Sequence, residues 1–308
     1  MKQREDYGQF DYVIVGAGTA GCALANRLSA DPRNQVLLLE AGGSDNYIWT
    51  KIPVGYLYCM GNPRTDWGFK TAPADGLNGR SLNYPRGRVM GGCSSINGMI
   101  YMRGQARDYD HWAQMGNQGW SWEEVLPYFK KSEDYYAGGD EMHGSGGEWR
   151  VEEQRLSWEI LDHFKKACVQ AGIPEISDFN CGNNEGVGYF HVNQRKGWRW
   201  SSATAFLKPA KSRKNLHILS GAQAEALTFS GRQVTGIDFF HHNQRCNVRA
   251  GREVILCSGA IGTPHLLQLS GIGAESDIKS HGIKMHHALP GVRICKWSCK
   301  FLPTPGRA

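Results

Sequence analysis

Apolar positions along the first forty residues fall into a strand–helix–strand rhythm. Phe10–Val15 (FDYVIV) is a short run of aromatic and β-branched residues ended by a glycine, which predicts a buried strand. Cys22–Ser29 spaces small and apolar residues as a helix does, and Val36–Leu39 is a second strand run ending on Glu40. Val254–Cys257 repeats the buried-strand pattern and delivers the chain to Ser258-Gly259. Beyond it, Thr263 reads as a helix N-cap, Pro264 as the first helical position and Gly271 as the stop. Ser121 with Glu124 three residues on is a capping-box start. Leu161, Phe164, Cys168 and Ala171 share one face of a helix and read as a core stripe. The Gly-rich stretch Gly138–Gly147 marks a domain boundary, and no internal repeat or low-complexity tract is present. Strands alternating with helices predict an α/β fold with a doubly wound, Rossmann-like sheet.

The first strand runs into Gly16-Ala17-Gly18-Thr19-Ala20-Gly21, a G-x-G-x-x-G turn in the right setting. Gly16 makes the turn, Gly18 lets a pyrophosphate approach the backbone, and Gly21 permits close helix–strand packing. The helix start offers N–H groups and a positive dipole end to phosphates. Glu40 arrives where a carboxylate accepts hydrogen bonds from the ribose hydroxyls of an adenosine. The fingerprint predicts dinucleotide binding and leaves FAD and NAD both open.

Further motifs narrow the choice. Glu40-Ala41-Gly42-Gly43 has the acid-then-small wording of flavoproteins. Pro85–Gly104 (PRGRVMGGCSSINGMIYMRG) and Ser258–Gly273 (SGAIGTPHLLQLSGIG) match two family signatures, and Trp198–Leu207 with Asn215–Leu227 match the segment between them. On these motifs the chain resembles the GMC (glucose–methanol–choline) oxidoreductase family from residue 8 to about 292. The Asp66–Arg88 stretch has the wording of the choline-dehydrogenase-like branch. Met90 and Cys93 stand where Leu and Ser are more usual.

The resemblance implies FAD as cofactor, held by Gly16, Gly18, Thr19, Ala20, Gly21, Glu40, Ala41, Arg88, Val89, Gly91, Gly92, Ser94, Asn97, Gly98, Met99, Ile100, Ala224, Ser258 and Gly259. Gly91 and Gly92 are expected to turn backbone N–H groups toward a phosphate or the flavin ring, with Ser94 and Ser95 as small donors and Asn97 bridging loop and cofactor. Some relatives attach the flavin through a His after Gly-Gly-Cys-Ser-Ser. Ile96 stands there and has no nucleophile, so FAD is expected to be bound non-covalently. The expected organisation is an FAD-binding domain from 8–45 and 203–290, a flavin lid at 46–83, an extended FAD-binding region at 84–135, the beginning of an α+β substrate domain at 136–202, and a non-family tail at 293–308.

Charge and composition exclude several classes. The net charge of +6 is dispersed, and the densest basic group, Lys208–Lys214, holds four cations, which is a solvated face rather than a nucleic-acid site. Nine cysteines, an odd number at irregular spacing with no leader before them, argue against a secreted disulfide framework. No apolar run approaches the ~18 residues a membrane span needs, so the expected location is cytoplasmic with peripheral membrane contact left open.

Family members remove the hydroxyl proton of an alcohol while a hydride passes to flavin N5. The resemblance places the His that takes the proton, and its His or Asn partner, in a C-terminal region that the wording after Val292 does not continue. The expected function is therefore oxidation of the CH–OH group of a small-molecule alcohol, choline-like or another primary alcohol. The electron acceptor is unspecified (oxygen, quinone or another carrier), and the resemblance implies that the chain is C-terminally truncated. A catalytically inactive FAD-binding remnant is the alternative. An ordinary NAD-dependent dehydrogenase is a third reading, which the GMC signatures oppose. No catalytic residue is assigned: His241-His242 falls in a predicted hairpin, His286-His287 precedes a Leu-Pro-Gly turn, and His111 and His143 read as surface or core residues. Cys295 and Cys299 lack two further ligands, so no metal site is expected.

Overall fold

The computed structural model describes residues 5–292. The expected tail at 293–308, with Cys295 and Cys299, lies outside the described residues.

In chain order, the elements that bear on the argument are strand β1 (Glu5–Val15), helix α1 (Thr19–Leu28), strand β2 (Val36–Glu40), helices α2 (Ala106–Gln114) and α3 (Trp122–Ser132), and strands β3 (Glu133–Tyr135) and β4 (Trp149–Val151). Then follow helix α4 (Glu159–Gln170), strands β5 (Leu216–Ser220), β6 (Ala222–Ser230), β7 (Gln233–His241) and β8 (Gln244–Leu256), and helix α5 (Gly259–Leu269). Packing divides the described chain into two compact units, one of residues 5–50, 54–96 and 202–292, the other of 51–53 and 97–201. The change of unit after Ile96 falls inside the 84–135 stretch.

The first unit is built on a six-stranded sheet in the order β5-β2-β1-β8-β7-β6. β5, β2, β1 and β8 pair in parallel, while β8–β7 and β7–β6 are antiparallel. The sequence explains the difference. β2 reads VLLLE and every residue is buried, as a parallel strand covered on both faces requires. The β7–β8 connection is the two-residue turn His242-Asn243, both at positive φ (48° and 60°), the geometry that matches strand twist in a hairpin. Val13, Val15, Leu37 and Leu39 meet Ile237, Phe239, Val248 and Leu266 in one core, each such burial giving about 1.5–3 kcal/mol.

Two readings of this unit need correction. The α5 helix begins at Gly259 with Ser258 at its N-cap, so Thr263 and Pro264 lie inside it. The helix starts directly where β8 ends: the Cys257 N–H donates to the Val15 carbonyl at 2.7 Å. Pro264 forfeits one intrahelical hydrogen bond, a loss that a helix packed on its sheet tolerates. Gly271, at φ 78°, does follow the helix end as expected. Val254, Ile255 and Leu256 form the predicted strand but are half-buried rather than fully buried.

In the second unit, Glu124 accepts a hydrogen bond from the Ser121 N–H at 3.1 Å and starts α3 as the sequence predicts. β3 and β4 pair in parallel, Glu133 opposite Trp149. The α4 stripe is helical but not core. Phe164 is 64% exposed and Leu161 43%, and no residue of α4 is buried. Periodicity gave the helix correctly, but its apolar face is largely exposed among the described residues. No helix among the described residues is long and apolar enough to cross a membrane.

Candidate cofactor site

β1 ends at Val15, and the chain turns through Gly16 into α1 with Gly18 as the N-cap, where no side chain caps the helix. A β-carbon on Gly21 would stand 1.9 Å from the Gly16 carbonyl oxygen, so only glycine lets α1 lie this close to the turn. Thr19 and Ala20 are exposed, leaving the positive end of the helix open to an anion.

Glu40 closes β2 beside this turn, buried at 6% exposure. One carboxylate oxygen accepts the Ala17 N–H and the other the Gly42 N–H, both at 2.8 Å. Burial pushes its carboxyl above the ordinary value, while those two N–H groups and the Arg88 guanidinium pull it back. Glu40 thus shapes the phosphate turn before any ribose reaches it. Ala41 is half-buried in the same bend.

The 85–96 loop is knitted onto the turn. The Gly91 N–H donates to the Ala17 carbonyl at 2.8 Å, and Met90 N–H to the Gly43 carbonyl at 3.0 Å. Gly43 also bridges Val89, which is fully buried. Gly92 N–H turns back to the Val89 carbonyl at 2.7 Å. The N–H groups of Gly91 and Gly92 are therefore spent on the protein, a correction to the expectation that they face the cofactor. The glycines serve close approach instead.

Ser94 and Ser95 also turn inward. The Ser94 hydroxyl donates to the Gly91 carbonyl at 2.6 Å and accepts the Ser202 N–H at 2.9 Å. Ser95 donates to the Met90 carbonyl at 2.8 Å. They pin the loop rather than project from it. Ile96 is buried with Cys59 and Val89. Arg88 is half-buried, with its guanidinium 4.9 Å from the Trp67 ring centroid and Nε buried without a partner.

The remaining predicted residues fall in two places. In the first unit, Gly221 N–H donates to the Gly42 carbonyl at 2.9 Å, which brings the start of β6, and Ala224 on it, to the end of β2. The Ser258 hydroxyl donates to the Val15 carbonyl at 3.2 Å, so Ser258 and Gly259 also lie at the C-terminal end of β1, where open α/β sheets bind ligands. Asn97, Gly98, Met99 and Ile100 belong to the second unit. There the Asn97 carboxamide oxygen accepts the Met99 N–H and an Arg199 N–H, both at 3.0 Å, and Met99 takes a positive φ of 66°.

Sequence reasoning placed Gly42 and Ser202 inside motifs without assigning either to the site. Gly42 links Glu40 to Gly221, and its place two residues after the acid was a usable signal. Ser202 lies 108 residues from Ser94, and nothing within the Trp198–Leu207 segment marked it as the partner of Ser94. The histidine pairs make contacts away from the phosphate turn's own hydrogen bonds. The Tyr7 hydroxyl meets His241 Nδ1 at 2.7 Å, and His286 stacks on Phe229 at 4.2 Å. Among the described residues no group of acidic, His and Cys side chains is arranged to hold a metal. An uncapped exposed helix start, a buried acid at the second strand's end and a glycine loop laid on the turn together fit a dinucleotide.

Comparison with known proteins agrees with this geometry. The sequence profile of the GMC oxidoreductase family matches residues 10–288. The chain is 43% identical over 289 residues to an oxygen-dependent choline dehydrogenase of Photobacterium profundum, covering 92% of this chain and 50% of that protein. It is 43% identical to an alcohol dehydrogenase [acceptor] of Pseudomonas putida, covering 92% and 52%. Among solved structures, pyridoxine 4-oxidase from Mesorbium loti superposes with a TM-score of 0.87 at 35% identity, over 91% of this chain and 55% of that one. The chain spans about half the length of the curated relatives it matches.

Proposed function

This chain belongs to the GMC oxidoreductase family of FAD-dependent enzymes, and on that footing we propose that it forms the FAD-holding part of an enzyme that oxidises the CH–OH group of choline or a related primary alcohol. The observation that supports this most is the hydrogen bond from Gly91 to Ala17, which makes the family's first signature loop and the phosphate turn one continuous surface. In this reading the α1 N-terminus takes the pyrophosphate, Glu40 the adenosine ribose, and the start of β6 at Ala224 the adenine, while the 88–92 loop walls the flavin end. Bound FAD supplies the hydride acceptor. This chain's own residues bind and orient it, and Asn97–Ile100 are assigned to it on the signature alone.

Non-covalent binding is part of the proposal, because Ile96 is aliphatic and buried. Acid precipitation should release all the flavin into the supernatant, and a yellow pellet would refute it. The function itself is tested by purifying the protein and recording its absorption with and without anaerobic choline or benzyl alcohol. A flavin spectrum that bleaches on addition of alcohol supports alcohol oxidation. A flavin spectrum that does not bleach leaves FAD holding alone, and no flavin at saturating FAD overturns the reading.

A further inference from the structure

The second unit contains a buried ionic cluster. Glu133 on β3 is fully buried, and Arg103, His143 and Asp178 close around it. Arg103 Nη2 donates to Glu133 at 2.8 Å and Gly144 N–H at 2.7 Å. His143 Nδ1 stands 3.2 Å from both Glu133 oxygens, and its Nε2 stands 2.7 Å from Asp178. Asp178 also accepts the Asn180 N–H at 2.8 Å.

We infer that His143 is held as an imidazolium whose two N–H groups clasp β3 to the 178–180 segment, a latch that opens when the ring loses its proton.

Both ring nitrogens face carboxylate oxygens. A neutral imidazole has one N–H and one lone pair, so it would aim that lone pair at Glu133 or Asp178 and repel it. Charge balance points the same way. Among Glu133, Asp178, Arg103 and His143, a protonated His143 brings the sum to zero, whereas a neutral ring leaves Arg103 alone against two carboxylates. The phenols around the ring do not supply that charge. Tyr135 stacks on the ring at 3.8 Å, with burial raising its phenol. Burial likewise raises the phenols of Tyr101, to about 12, and of Tyr136. His191 Nδ1 lies 3.4 Å from Asp178 and is the second imidazole facing that carboxylate. Asp140 accepts the His143 backbone N–H at 2.7 Å, and Lys130 at the end of α3 reaches the carbonyls of Asp140 and Glu141. Burial pulls the His143 ring down, but the hydrogen bonds to Asp178 and Glu133 outweigh it and raise the ring to about 9. For Asp178, burial is outweighed by its bonds to His143 and His191, which hold it well below the usual carboxylate range. The stabilisation from His143 is therefore complete below pH 6.5 and is lost as pH rises through about 9.

The test is ¹⁵N NMR of the full chain with labelled histidine, the His143 ring assigned through its own backbone. Both ring nitrogens should show protonated shifts at pH 7 and titrate together near pH 9. Asp178→Asn should lower that midpoint by roughly one unit or more. A single-tautomer pattern at pH 7 overturns the inference, as does an unmoved midpoint in the variant. If Asp178→Asn does not fold, the wild-type titration decides alone.

Discussion

Gly92 lies against Gly18 so closely that a β-carbon on it would stand 2.8 Å from the Gly18 α-carbon. Gly92 also holds a positive φ of 54°. Gly92→Ala therefore meets a steric and a conformational penalty at once, together about 1–3 kcal/mol. Because the clash falls on the phosphate turn, the loop should lift away from it. The expected outcome is a lower melting temperature and at least a tenfold weaker FAD affinity, read by flavin fluorescence quenching. Gly43→Ala, whose β-carbon meets no atom within 4 Å, should bind FAD as the parent does.

The double acceptor role of Glu40 makes its truncation costly before any ligand is considered. Glu40→Ala leaves the Ala17 and Gly42 N–H groups without their partner, about 1–3 kcal/mol for each group that stays buried and unsatisfied. Glu40→Gln keeps one acceptor but turns an NH₂ group toward the other N–H. Chemical denaturation should rank the proteins parent, Gln, Ala in falling stability, and FAD affinity should fall in the same order. Equal stability of all three would show that the turn holds its shape without this carboxylate.

Cysteine chemistry offers a check on the loop that needs no substrate. Cys22 is fully buried on α1, and burial pushes its thiol up to about 12, so at pH 8 it stays protonated and shielded. Cys93 and Cys181 are exposed. Brief alkylation at pH 8 followed by mass spectrometry should modify Cys93 and Cys181 and spare Cys22. Adding FAD to flavin-free protein should slow Cys93 and leave Cys181 unchanged. Rapid modification of Cys22 would mean that α1 opens readily.

How much of this was legible in the sequence depended on how local each cause is. β1 and β2 announce themselves through β-branched and leucine runs, and Glu40 through its place at a strand end. The start of α5 was misread because Thr263-Pro264 is a stronger local start signal than Ser258, whose position is set by the strand feeding it. Ser94 looked like a cofactor donor because its inward turn depends on Ser202, which only the tertiary fold brings near. His143 read as an ordinary core or surface residue, since neither Glu133 nor Asp178 lies at a spacing that suggests a cluster.

Phe164 carries the last prediction. A helix whose apolar residues recur at 3.6 spacing is read as half-buried, yet Phe164 and Ile160 are 64% and 69% exposed, with Leu156 and Trp158 exposed just before them. Contiguous apolar surface of this kind drives self-association in water. Phe164 contributes little to the folded core, so replacing it should cost under about 0.5 kcal/mol. Phe164→Glu should therefore raise the soluble fraction and shift light scattering toward monomer, with the melting temperature unchanged. Val125 on α3 is the control. It is buried, so Val125→Glu places a carboxylate in the core and should lower stability and solubility together. If Phe164→Glu unfolds the protein as Val125→Glu does, then the α4 face is covered in solution and its apolar stripe is core after all.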